Sequence, residues 1–183
     1  AAIADMVDEA GRHGVRAIAA VGTAGLRIAA NGSEVVAAIA ARAGVRIEVI
    51  SGEEEGRLAY VAARAGLGLS QGSLVVFDTG GGSSQFTFGH DSSVDERFGL
   101  DRAVAPEVLR EAMAAIAADL SRIDGRPVPD ALVAMGGAVT NITAVRHRLA
   151  TYDPAVVQGS VIDRAEIEAS KFDLSYISLD GNI

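Results

Sequence analysis

Cysteine and tryptophan are both absent from this chain. Without thiols, no disulfide and no thiolate metal centre can form. Histidine is nearly as scarce. His13, His90 and His147 lie too far apart in sequence to suggest a histidine-based zinc site. Aromatic residues make up only 4% of the chain, so a core must be filled by Ala, Val, Ile and Leu. No apolar run is long enough to span a bilayer, and no secretory-signal pattern opens the chain. The expectation is a cytoplasmic protein with no membrane partner. Positive charge is in deficit: 16 Lys and Arg against 24 Asp and Glu leave a formal net charge of −8. An acidic surface argues against nucleic-acid binding. An anionic ligand would need local cations, backbone N–H groups or a metal ion to offset that field.

What is present is ordinary globular material, 49% hydrophobic and 22% charged over 183 residues. Alanine-rich helical patterns alternate with short Val/Ile-rich runs, which predicts an α/β fold with parallel crossovers. Residues 1–12 read as an amphipathic helix with Ile3, Met6, Val7 and Ala10 on one face, closed by His13-Gly14. Residues 15–21 read as a strand, followed by a helix to Ala30. Ser33 is expected to cap a helix over 34–43, with Gly44 ending it. Residues 45–50 form a strand whose Val45, Ile47 and Val49 share a face, and 53–65 a helix. Residues 67–72 read as a loose linker. Strands are expected at 74–78, 85–89, 94–98 and 131–135, and helices at 106–123 and 139–149. After Glu168 alanine all but disappears, and 169–183 reads as an atypical tail. The organisation expected is 1–66 as one unit, 67–72 as linker, 73–168 as a second unit, and the tail.

Four stretches carry chemistry. In "LVVFDTGGGSSQFTFG" a buried strand delivers Asp78 to a sheet edge, followed by Gly80, Gly81, Gly82 and Ser83. Glycines let a backbone approach a phosphate and aim N–H groups at it, and the strand-terminal carboxylate suits a divalent cation. A plain tight hairpin would use the same glycines. In "IEVISGEEEGRLAY", Ser51 caps a helix whose first turn holds Glu53, Glu54 and Glu55. This is either a well-capped surface helix or the site of a general base. In "GTAGLRIAANG", Arg27 lies one turn into a helix, as a solvated cation or an anion ligand. In "MGGAVTNITA", Gly136 and Gly137 make a strand–helix turn that either holds a phosphate or is simply tight.

In this order and spacing, the four stretches resemble the exopolyphosphatase / guanosine pentaphosphate phosphatase family over roughly residues 1–168. "IEVISGEEEGRL" and "VVFDTGGGSSQ" are the most specific segments. The resemblance implies an actin-like (ribonuclease H-like) α/β fold, present as a partial first domain plus a second domain. It also implies a Mg2+-dependent phosphoanhydride hydrolase releasing terminal phosphate from polyphosphate, and from guanosine pentaphosphate as a further substrate. By that resemblance Glu55 is the catalytic base with Glu54 beside it, and Asp78 is the metal-associated carboxylate. Arg27, Gly80, Gly81, Gly82, Ser83, Gly136 and Gly137 bind phosphate. The full-length protein is expected to be a homodimer.

Three departures from the family pattern stand out. The chain contains no D-x-G-S-N-S phosphate loop of the kind with which the family's chains begin, so an N-terminally truncated chain with little hydrolase activity of its own is expected. Gln85 stands where the family usually has Glu. Phe98 runs almost directly to the helix expected at 106, without the family's usual further loop. Two rival readings follow: a non-catalytic phosphate- or nucleotide-binding module, or an actin-like kinase, against which the acidic "SGEEEGRL" segment argues.

Overall fold

The structure is a computed structural model that describes residues 2–80, 83–100, 114 and 117–170. Six strands and seven helices are described. They are β1 (Ala20–Gly22), β2 (Ile47–Val49), β3 (Ser73–Thr79), β4 (Ser84–His90), β5 (Ser93–Leu100) and β6 (Ala131–Met135), with α1 (Ala2–Arg12), α2 (Ala24–Ile28), α3 (Gly32–Ala43), α4 (Gly52–Leu67), α5 (Gly137–Arg146), α6 (Pro154–Val157) and α7 (Arg164–Ser170). The strands form two sheets. β1 and β2 pair in parallel. The larger sheet runs β5-β4-β3-β6, an antiparallel meander with β6 added parallel to β3. The α/β character and the parallel crossovers expected from the sequence are both present.

The meander follows from its residues. Thr79 and Ser84 flank a tight glycine turn, and alternation sends side chains to opposite faces. On one face Leu74 and Val76 meet Tyr60 and Ala63 of α4, with Leu69, Val133 and Met135 packed around them. On the other, Val75, Phe86 and Phe98 are joined by Phe77, Phe88, Leu120 and Ile123. The Phe77–Phe86 and Phe86–Phe98 centroids are 4.5 and 5.0 Å apart. Leu74 and Val76, at 2% and 1% exposure, each contribute about 2 kcal/mol of apolar burial.

α4 is placed by its caps. The Ser51 Oγ accepts the Glu54 N–H at 3.1 Å, and Gly68 turns left-handed at φ 66° to close it. Gly52, Gly56, Tyr60 and Ala63 form its inward face. The Tyr60 hydroxyl donates to the Asp91 carbonyl at 3.2 Å, fixing the helix to the β4–β5 turn. The parallel β3/β6 pair is tied at one end. The Asp130 carboxylate accepts both the N–H and the Oγ–H of Ser73 at 2.8 Å, while the Asp130 N–H donates to Ser73 Oγ at 2.9 Å.

Several boundaries differ from expectation. The strand expected over 15–21 is only Ala20–Gly22, and Val15 and Ile18 are exposed. The strand expected over 45–50 is Ile47–Val49. Its proposed common face does not hold, because Val45 is buried while Val49 is 42% exposed. A two-stranded sheet has no neighbour to bury a second row. Ser33 is not a cap: α3 begins at Gly32 after Asn31. On α1, Met6 is 66% exposed rather than packed. Residues 67–72 are not a loose linker throughout, since α4 runs to Leu67 and Leu69 packs on the core. α5 starts at Gly137, two residues before the expected start. Of the helix expected over 106–123, residues 117–120 are helical and Ser121–Ile123 form a 3-10 turn, while most of the rest, like residues 171–183 of the tail, lies outside the described residues.

Candidate active site

Two of the sequence-predicted residues, Arg27 and Glu55, meet at the N-terminal turn of α4. Arg27, on α2, reaches across from the smaller sheet. Its Nη1 donates to the Ile50 carbonyl at 2.9 Å, and both Nη atoms donate to Glu55 Oε2 at 3.2 Å. The two side chains are 23% and 15% exposed, so the pair is largely shielded from water. Arg27 is therefore not a solvated surface cation. It fixes the Glu55 carboxylate, with the carbonyl that closes β2 as its second anchor.

Glu54 is placed differently. It chelates Arg57 on the solvent side of α4, accepting from Nε at 2.7 Å and from Nη2 at 2.6 Å. That hydrogen-bonded guanidinium holds the Glu54 carboxyl below its ordinary range. The acidic triplet thus divides: Glu55 turns inward to Arg27, Glu54 outward to Arg57, and Glu53 is exposed.

Asp78 stands half-buried at the end of β3. Burial, and secondarily the negative charge of Glu55, raise its carboxyl above the ordinary aspartate range. The second cause shows that the two carboxylates share one electrostatic neighbourhood, although they come from different elements. The β6–α5 turn closes over the same spot. Gly136 has φ 97°, and a Cβ there would lie 2.0 Å from the Thr79 carbonyl oxygen and 3.3 Å from Asp78 Oδ1. Only glycine allows this approach. Gly137 then opens α5, with open space around its Cα.

In the glycine loop, Gly80 donates its N–H to the Ser83 carbonyl at 2.9 Å, and the Thr79 and Ser84 hydroxyls meet at 2.8 Å. The Gly80 N–H closes the turn rather than pointing at a ligand. Gly81 and Gly82, also expected to bind phosphate, lie outside the described residues.

One group escaped sequence reasoning. Arg97 of β5 lies along the α4 face of the sheet, its Nε donating to Gln85 Oε1 at 2.8 Å. The available signal was the spacing of Gly52 and Gly56, one helical turn apart, together with Gly99 two residues beyond Arg97. Each of the three leaves room for this side chain.

As a donor set for a cation the site is sparse. Among the described residues, no cluster of three or more His, Cys, Asp or Glu side chains is placed to hold a metal ion. Asp78, its charge destabilised by burial and by Glu55, is a carboxylate of this corner that a cation would stabilise. Among the described residues, no helix is long and apolar enough to cross a membrane.

The chain is similar to known proteins over part or most of its length. An uncharacterized protein of Streptomyces coelicolor is 40% identical over 88 residues, 48% of this chain and 26% of that protein. Exopolyphosphatase 1 of Mycobacterium leprae is 32% identical over 87 residues, again 48% of this chain and 26% of the relative. The aligned part is thus about a quarter of the length of these relatives. The Aquifex aeolicus Ppx/GppA enzyme superposes with TM-score 0.75 at 26% identity, covering 92% of this chain and 60% of that one. An exopolyphosphatase-like protein superposes with TM-score 0.81 at 24% identity, over 93% of this chain and 61% of the other, which supports the actin-like fold. The model of the Ppx/GppA phosphatase family matches residues 1–169, and the chain belongs to that family.

Proposed function

We propose that this chain belongs to a phosphoanhydride hydrolase. It releases terminal phosphate from inorganic polyphosphate, with guanosine pentaphosphate as a second substrate. The observation that carries this reading is the convergence of Glu55, Arg27 and Asp78 from three elements onto one corner. Phosphoryl transfer asks mainly for positioning and for neutralisation of charge on the transferred group. Glu55, oriented by Arg27, is the group that aligns a water molecule and takes its proton. Asp78 is the carboxylate that would hold Mg2+, and the ion would supply charge neutralisation. The Gly136-Gly137 turn lies against Asp78 and is the backbone offered to the phosphates.

The reading extends to organisation. Residues 1–66 are taken as the C-terminal half of a first actin-like domain and 73–168 as a second, with α4 the last element of the first. Its first turn touches Arg27, and its body packs on the larger sheet. A cytoplasmic location and a homodimer of the full-length protein belong to the same reading.

The test is Mg2+-dependent phosphate release from polyphosphate by a chain extended to the length of its relatives. Glu55→Gln is expected to lower kcat by a factor of about 10² to 10⁴, the usual contribution of a general base. A variant that kept the full rate would end this assignment for Glu55.

A further inference from the structure

Arg97 takes no part in the Arg27–Glu55 pair. The register sets Asp78, Gln85 and Gly99 side by side across β3, β4 and β5, with Arg97 opposite Thr87 on the same face. Its Nε is held by Gln85, and the rest of the guanidinium extends toward the first turn of α4. A Cβ on Gly52 would lie 2.4 Å from Arg97 Nη2, one on Gly99 2.5 Å from the same atom, and one on Gly56 2.9 Å from its Cδ. Three glycines on two elements thus clear a path for one side chain.

The guanidinium reaches the positive end of a sixteen-residue helix, where a cation is disfavoured. Among the described residues, no carboxylate forms an ion pair with it. The acids of that turn are directed elsewhere, Glu54 to Arg57 and Glu55 to Arg27. Beside it lies a second donor without an acceptor. A guanidinium carries only donors, so Gln85 must turn its oxygen to Arg97 Nε and its amide nitrogen away. That Nε2 is buried, in a residue only 2% exposed, and has no hydrogen-bond partner among the described residues. A buried amide donor left unpaired is costly, and so is a cation held at a helix N-terminus. An anion at the guanidinium tip would offset the cost of holding a cation at the helix N-terminus.

We propose that Arg97 is a phosphate-oxygen ligand of this site. Gln85 is the positioning residue that aims it, and the anion is a phosphoryl group of a linear polyphosphate. The proposal deepens the reading above and rests on its class of substrate. It also gives Gln85 a role in place of the carboxylate usual in the family: an amide steers the arginine without neutralising it.

The experiment is calorimetric titration of this chain with inorganic tripolyphosphate, alongside thermal melts. Arg97→Met is expected to weaken binding about tenfold or more, the loss of a charge-assisted hydrogen bond. Arg97→Lys should recover part of it. Gln85→Glu should weaken binding several-fold by capturing the guanidinium. Gly52→Ala keeps the arginine but displaces its tip, and should weaken binding several-fold while the melt stays near wild type. This variant stands in if Arg97→Met does not fold. Folded Arg97→Met or Gly52→Ala protein that binds tripolyphosphate as wild type does would overturn the proposal, as would a wild-type chain that binds none at millimolar concentration. Binding that depends on Arg97 in a full-length protein that hydrolyses no polyphosphate would sustain this inference while removing the hydrolase reading.

Discussion

Asp78 is the residue whose environment most affects its chemistry. Burial and the charge of Glu55 raise its folded-state pKa above the unfolded value. A carboxyl raised in this way favours folding where it is protonated, and that contribution is lost as pH rises through the folded pKa. In metal-free buffer, Asp78→Asn is expected to melt above wild type at pH 7. The two melting temperatures should converge as pH falls below about 3.9, the ordinary aspartate value. A constant gap across that range would mean that the electrostatic cause is wrong. Gly56 makes the complementary point about space. A Cβ there would sit 2.8 Å from Thr87 Oγ1 and 2.9 Å from Arg97 Cδ, and Thr87 is only 1% exposed. Gly56→Ala is therefore expected to cost about 1 to 3 kcal/mol in denaturant unfolding, as overpacking does.

Among the elements, α4 does most to join the two sheets. Its start depends on Ser51, and Ser51→Ala should cost about 1 kcal/mol of stability, read from the urea midpoint at unchanged slope. This cap, the αL glycine Gly44 and the strands of the larger sheet were legible from local sequence, whereas Gly68 was read as part of a linker. In each case the cause is local: a hydroxyl three residues before an N–H, a positive φ, or an alternating pattern buried on both faces. The smaller sheet was legible only as to existence. Nothing local says that Val15 to Ala19 would remain outside β1, because strand length depends on the partner and β2 offers just three residues. The candidate site was readable as a set of motifs, but the direction of each side chain was not. That Glu55 turns to Arg27 while Glu54 turns to Arg57 is decided by what lies 28 residues away in one case and 3 in the other. Arg97 escaped notice because its significance lies in three glycines brought to it by the fold.

At the scale of the whole molecule, the two sheets differ in how well they are covered. Val21, Ile28 and Val49, around the smaller sheet, are 53%, 59% and 42% exposed, whereas the larger sheet has an apolar cluster on each face. Hydrogen exchange is expected to show β1 and β2 amides opening readily, with β3 and β4 among the slowest in the chain. Equal protection of both sheets would contradict this. The Ser73–Asp130 clasp has a consequence for the order of events in folding. β3, β4 and β5 are joined by short turns, but the clasp closes a loop 57 residues long before β6 can register. Loop closure over that span costs entropy that the local hairpins do not pay. The meander should therefore be built in the rate-limiting step, with β6 docking on the downhill side. Asp130→Asn would then leave the refolding limb of a chevron plot nearly unmoved and steepen escape from the native state, so that the clasp acts as a latch on unfolding rather than as a nucleus.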